Sequence, residues 1–280
     1  MKDLKQRLGF GTLLVAALVV AFRLDRETVV GLSALALVAM ALAAQAEFYD
    51  MLRAAGHAPR KATGLALGLL VLAAAWFDWA TWGPLVPALP AAYLVGEMLT
   101  RRVEGAPARI GATLLGWMAV PVLLAYVLLV RRWEDGWEWL IFLVAVCKSG
   151  DSAAYLIGSA FGRRKLIPEV SPNKSWEGAF GSLAGSLLAA WIVSMWAFDG
   201  RLEPAQWIAA GVVVNLAAQC GDLVESLLKR GCATKDSASM LPAFGGSFDM
   251  VDSFLVAGPA LYAWLHATGY RSGVLAAVMG

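Results

Sequence analysis

Six ionisable residues stand inside long apolar stretches in the second half of this 280-residue chain: Lys148 and Asp151, Asp222 and Glu225, Asp249 and Asp252. Within each pair the spacing is three, which puts both side chains on one face of a helix. Ser152 and Tyr155 extend the first face, and Asn215, Gln219, Ser226 and Lys229 extend the second. A charge at the centre of a membrane span costs roughly 2.5–3.5 kcal/mol, so each needs a partner or a water-filled cavity. Four or five unpaired carboxylates would cost on the order of 10 kcal/mol, comparable to a protein's whole stability margin. Bound cations offset that cost. Oxygen donors without cysteine or a nearby histidine favour a hard ion such as Mg²⁺, which keeps some of its waters and binds substrate phosphates. Structural salt bridges and an ion pathway are the competing readings of the same stripes. His57 and His266 lie far from the stripes and read as surface or interfacial residues. Cys147, Cys220 and Cys232 lack paired or metal-ligand spacing and read as reduced packing residues.

Two basic loops border these stripes. The first runs through Gly162-Arg163-Arg164-Lys165 to Ser171-Pro172-Asn173-Lys174-Ser175-Trp176-Glu177-Gly178. Its glycines allow close backbone approach, its cations suit phosphate, and Ser175 can cap a helix whose N-terminus favours anions. Contact with anionic lipid headgroups is the plainer reading of the Arg-Arg-Lys triplet. The second loop runs from Lys229-Arg230 through Lys235-Asp236 to Gly245-Gly246, just before Asp249. A Gly-Gly pair is a weak signal alone, and stronger between Lys-Asp upstream and an acidic helix start downstream.

The elements that must position these groups are membrane spans. The chain is 59% hydrophobic and 16% charged, against roughly 45–50% and about 25% in soluble domains. That composition argues against a soluble enzyme, a nucleic-acid binder and a disordered scaffold. Apolar blocks at Leu8–Phe22, Thr28–Ala46, Thr63–Phe77, Pro84–Leu99, Ile110–Val130, Trp137–Phe161, Trp176–Phe198, Ala205–Leu228 and Ser247–Thr268 predict about nine helices. With the N-terminus inside, sixteen of the 23 Lys and Arg fall in inner segments, six in outer ones, and Lys148 lies within a span. This split follows the positive-inside tendency and predicts a cytoplasmic N-terminus. Trp76, Trp79 and Trp82, and Trp133, Trp137 and Trp139, suit interfacial belts. Met1 to Phe22 resembles a signal peptide without a convincing cleavage site and is read as retained. The expectation is an all-α integral membrane protein. Residues 1–136 supply about five spans and 137–280 about four catalytic spans with cytoplasmic loops, in one continuous membrane unit.

The stretch Gly221-Asp222-Leu223-Val224-Glu225-Ser226-Leu227-Leu228-Lys229-Arg230, followed by Lys235-Asp236-Ser237, Leu241-Pro242, Gly245-Gly246, Asp249 and Asp252, resembles the C-terminal signature of the phosphatidate cytidylyltransferase (CDP-diacylglycerol synthase) family. Upstream, Asp151-Ser152-Ala153-Ala154-Tyr155, Gly158, Phe161-Gly162 and the Ser171 to Gly178 run are similar too. The resemblance covers the last half of the chain; earlier, only Glu47-Phe48-Tyr49 is weakly similar. Two positions depart from the family pattern: Phe244 stands where histidine is usual and Met250 where arginine is usual.

What the resemblance implies is a membrane nucleotidyltransferase of phospholipid biosynthesis. The phosphate of phosphatidic acid attacks the α-phosphorus of CTP, and CDP-diacylglycerol and pyrophosphate result. The nucleophile is already an anion, so positioning and charge neutralisation carry the catalysis. Asp222, Asp249, Lys235 and Asp236 are the expected catalytic residues. Asp222 and Asp249, with Glu225 and Asp252 as outer ligands, would hold one or two Mg²⁺, with a monovalent cation left open. Lys174, Ser175, Lys229, Arg230, Lys235, Gly245 and Gly246 would bind CTP or phosphate. Lys148, Asp151, Tyr155, Ser171 and Glu177 would support the lipid or the structure. Partners would be CTP, phosphatidic acid and the bilayer of the cell membrane, with the active site on the cytoplasmic side and no nucleic acid; a homodimer is suggested by resemblance only. A related enzyme using CTP on an ether lipid or polyprenol, a silent homologue and an ion-coupled transporter are the alternatives. The transporter is disfavoured because the charges gather toward the inner half and no inverted repeat is visible.

Overall fold

The computed structural model describes residues 31–77, 83–133, 135–234 and 246–270. The helices are α1 (Leu32–Ala54), α2 (Lys61–Phe77), α3 (Ala88–Leu99), α4 (Ala106–Trp117), α5 (Leu123–Arg131), α6 (Gly136–Phe161), α7 (Trp176–Trp196), α8 (Pro204–Gly231) and α9 (Ser247–Ala267). A π-helical turn, Met118–Val122, joins α4 to α5 around Pro121. Proline removes a backbone donor, and the wider turn absorbs the loss without ending the span.

Among the described residues, five helical segments are long and apolar enough to cross a membrane: α1, the continuous α4–α5, α6, α7 and α8. Helix α2 and the Gly83–Leu99 segment are apolar but shorter. Helix α9 has 21 residues and carries Asp249 and Asp252. The first expected span, Leu8–Phe22, lies outside the described residues. Two details differ from the sequence expectation. Helix α1 does not stop at Ala46 but continues to Ala54, because Gln45, Glu47 and Tyr49 have polar contacts that let them stay buried. The second is a short hairpin added to a mostly helical chain. Strands β1 (Lys165–Ile167) and β2 (Ser171–Ser175) pair antiparallel between α6 and α7. A polar segment outside the apolar blocks satisfies its backbone groups in this ladder.

The chain divides into two compact units, one reaching to Leu128 and including Leu228–Val251, the other comprising Leu129–Leu227 and the chain from Asp252 onward. In the first, Gln45 Nε2 donates to the Gly64 carbonyl at 2.8 Å, and Tyr49 Oη donates to the Thr113 carbonyl at 2.7 Å. A Cβ at Gly64 or Gly116 would overlap the Tyr49 ring, so glycine lets α2 and α4 close on α1. Buried Glu97 is gripped by Arg60 Nε at 2.7 Å and Arg109 Nε at 3.0 Å. The Phe248 N–H donates to Glu47 Oε2 at 3.0 Å, and the Phe48 and Phe248 rings meet at 5.2 Å.

In the second unit, α6 and α7 pack closely because Gly185 leaves room for Ala153 and the Ser149 carbonyl. Away from the acidic stripes, fully buried Trp139 packs edge-on to Phe142, Phe198 and Tyr270. Asp135 accepts from Tyr270 Oη at 3.0 Å and pairs with Arg201 Nη1 at 3.3 Å. Burial, reinforced by the Asp135 carboxylate, pushes the Tyr270 phenol well above its ordinary pKa of 10.0. For Arg201, partial burial acts to lower the pKa, but Asp135 outweighs it and the net direction is up.

Candidate active site

Helix α7 begins where the sequence signals it. Ser175 stands in the extended conformation and its Oγ accepts from the Gly178 N–H at 3.1 Å, the N-cap bond that satisfies an orphan donor. Glu177 accepts from the backbone N–H groups of Arg163 at 3.1 Å and Arg164 at 3.2 Å. Together with the Trp176 N–H to Arg164 carbonyl bond at 2.9 Å, this ties the hairpin to the helix start. Lys174, on β2 immediately before the cap, is thereby held with its ammonium 2.7 Å from Asp222 Oδ2 on α8.

Around this pair lies a cavity of about 540 Å³, in the size range of nucleotide and cofactor sites. Asp151, Tyr155 and Gly158 of α6 line it, with Ser171, Asn173, Lys174 and Ser175 of β2, Gly178, Ala179 and Ser182 of α7, and Gln219 and Asp222 of α8. On the α6 face, Lys148 Nζ pairs with Asp151 Oδ2 at 3.3 Å and stands 5.0 Å from the Phe254 ring centroid. Ser253 Oγ lies 3.0 Å from Asp252 Oδ1 and 3.4 Å from Asp151 Oδ2, one donor between two carboxylates.

Asp222, Glu225 and Asp252 each offer a carboxylate oxygen, and the three oxygens lie within 4.8 Å of one another. Opposite ligands of one Mg²⁺ stand about 4 Å apart, so small rotamer changes would suffice to share an ion. An all-oxygen donor set with one buried member, Glu225, fits a hard divalent cation and not a soft one. Asp222 belongs both to this cluster and to the cavity wall, so an ion held there would face whatever fills the cavity.

Asp249, grouped with Asp222 by the sequence, forms an ion pair with Lys229 Nζ at 2.8 Å and accepts from the Gly246 N–H at 3.3 Å. Arg230 is exposed at the end of α8. Lys235, Asp236 and Gly245, together with Phe244, lie outside the described residues. Among the described residues, the fold adds groups that the charge pattern did not mark. Ser182 lines the cavity beside Asn173 and Gln219, which the sequence stretches already contained, while Ser253 touches Asp151 and Ser186 supports Asn215. Serines on an apolar helix carry no charge signal, but Ser182 and Ser186 are four apart on α7, a spacing that could have flagged them.

A sequence profile of the cytidylyltransferase family matches residues 5–268. A Brucella suis biovar 1 protein named phosphatidate cytidylyltransferase is 40% identical over 133 residues, covering 45% of this chain and 46% of its own. The Bacillus subtilis protein of the same name is 38% identical over 138 residues, covering 49% and 51%. An uncharacterized Escherichia coli K12 protein, YnbB, is 31% identical over 180 residues, covering 62% and 60%. The chain thus spans about half the length of the curated relatives it matches.

Proposed function

We propose that this chain, which belongs to the cytidylyltransferase family, transfers the cytidylyl group of CTP to phosphatidic acid at the inner face of the cell membrane, giving CDP-diacylglycerol and pyrophosphate. The observation that carries this reading is the cavity in which Lys174 and Asp222 meet beside the three-carboxylate cluster. The similarity to proteins named phosphatidate cytidylyltransferase supports the choice of CTP and of the lipid. About nine spans with a cytoplasmic N-terminus complete the reading, since that arrangement brings the basic loops to the side where CTP is available.

In this mechanism Lys174 neutralises phosphate charge from the cavity wall, in place of its resting partner Asp222. Asp222, Glu225 and Asp252 would hold Mg²⁺, which supplies charge neutralisation at the reacting phosphates when bound. Asp249, with Lys235 and Asp236, belongs to the same proposed machinery. The Ser175 cap and the Glu177 clamp keep Lys174 from swinging away. The attacking lipid phosphate is an anion, so no base is needed. Orientation within a cavity of fixed walls supplies the rate.

The direct test incubates detergent-purified protein with labelled CTP, phosphatidic acid and Mg²⁺, beside Asp222→Asn. CDP-lipid is expected from wild type and a loss of at least about a hundredfold from the variant. No CDP-lipid from wild type rejects the function, and full activity in Asp222→Asn rejects the site.

A further inference from the structure

The cavity ends in a chain of amide and hydroxyl groups whose hydrogen bonds all run in one direction. Ser186 Oγ donates its single proton to the Val146 carbonyl at 2.8 Å. A hydroxyl whose proton is committed can only accept from its other neighbour. That neighbour is Asn215, at 2.8 Å, so the Asn215 atom facing Ser186 must be the amide nitrogen. The same nitrogen reaches Ser182 Oγ, also at 2.8 Å. Asn215 Oδ1 is therefore turned the other way, and it accepts from Gln219 Nε2 at 2.7 Å. The second Gln219 amide proton points to the Ala179 carbonyl at 3.4 Å. Carbonyl oxygens cannot donate, so neither amide can flip without setting acceptor against acceptor. Both donors of Gln219 are spent inside the protein. Its Oε1 accepts no hydrogen bond from the described residues, and Gln219 lines the cavity.

Gln219 thus presents a fixed acceptor, and a uniquely oriented one, one helical turn from Asp222. Its orientation is set some distance away, at a main-chain carbonyl of α6. Gly150 keeps the chain intact, because a Cβ there would come within 2.5 Å of Ser186 Oγ and 3.0 Å of Asn215 Nδ2.

We infer that Gln219 Oε1 reads the exocyclic amino group of the nucleotide base, and that the Ser186–Asn215 relay, by forbidding the amide flip, makes the cavity selective for cytosine over uracil. The inference rests on the proposed use of a nucleoside triphosphate. Cytosine offers an amino donor at the position where uracil offers a carbonyl acceptor, while the two bases are otherwise alike in size. An acceptor that cannot turn over pairs with the first and opposes the second. A site built around a required hydrogen bond discriminates far more sharply than one that only measures volume. Ser186 and Asn215 act through Gln219 and are positioning residues.

The test measures kcat/KM for CTP and for UTP on detergent-purified full-length protein with phosphatidic acid and Mg²⁺, alongside equilibrium binding of each labelled nucleotide without lipid. Wild type should favour CTP by roughly a hundredfold or more. Gln219→Leu should lower the CTP-over-UTP ratio roughly tenfold or more, mainly by losing CTP. Ser186→Ala, which frees the relay to reverse, should lower the same ratio while improving UTP; a purely structural role would weaken both nucleotides equally. An unchanged ratio in both variants, or equal losses for both nucleotides, overturns the inference while leaving the cytidylyltransferase reading intact if wild type makes CDP-lipid. A wild type that makes none, yet binds CTP over UTP with the preference lost in Gln219→Leu, rejects the lipid chemistry and supports the base reading. A wild type that neither makes CDP-lipid nor prefers CTP rejects both.

Discussion

Lys174 Nζ lies 2.7 Å from Asp222 Oδ2, although 48 residues separate them and they sit on a β-strand and a helix respectively. The pair lines a cavity and is partly solvated, so the salt bridge itself contributes little to stability. Under the proposed function its use is to hold a cation in the cavity wall.

Lys174→Ala should therefore leave folding nearly unchanged and cut turnover by about a hundredfold, with Lys174→Arg recovering part of the loss. Thermal unfolding in detergent and the CDP-lipid assay, run on the same preparations, separate the two effects. A Tm lowered as much as that of a core variant would show that the pair is structural.

The three-carboxylate cluster predicts graded dependence on the divalent ion. Asp252→Asn and Glu225→Gln should raise the Mg²⁺ needed for half-maximal activity by roughly ten- to a hundredfold. Mn²⁺ binding followed by electron paramagnetic resonance gives a readout without turnover, and should weaken in parallel. Unaltered Mn²⁺ affinity in both variants would remove the cluster from the metal site.

Gly150 has no room for a methyl group against Ser186 and Asn215. Gly150→Ala should destabilise by about 1–3 kcal/mol through forced displacement of packed groups. Denaturation in mixed micelles measures it. An unchanged midpoint would mean that α6 and α7 part without cost.

Tyr270 supplies a pH test. Its folded pKa is raised above 10.0, so between that value and the folded pKa the unfolded chain has lost a proton that the folded chain retains. Stability contributed by the neutral phenol is present below pH 10 and declines as pH rises above it. The Tm advantage of wild type over Tyr270→Phe should accordingly shrink between about pH 9.5 and 11. A constant difference across that range would show that the phenol ionises alike in both states.

Much of the candidate site was legible because charge is scarce in an apolar chain. Lys148 with Asp151 and Asp222 with Glu225 announce themselves by being three apart within apolar blocks, and the fold does put each pair on one helix face. The Ser175 cap and the glycines around Gly162 were readable as local chemistry, since a cap involves only its own first turn. The β1–β2 hairpin was missed because five residues containing a proline carry almost no alternation. Glu97 was missed as well: its two arginines come from elsewhere in sequence, and nothing local indicates that they converge.

The sequence by itself determined the membrane class, the positions of most helices and which polar residues had to be accommodated, because hydrophobic transfer and helical periodicity act over one or two turns. It carried the family signature through the order and spacing of its motifs. Only the tertiary structure decided which polar groups meet. Asp222 joins Glu225 and Asp252, while Asp249, which the sequence grouped with Asp222, pairs with Lys229. Likewise the direction of the Ser186–Asn215–Gln219 chain depends on a carbonyl from another helix. Hydrogen-bond polarity is a property of contacts between elements, and spacing along one element does not contain it.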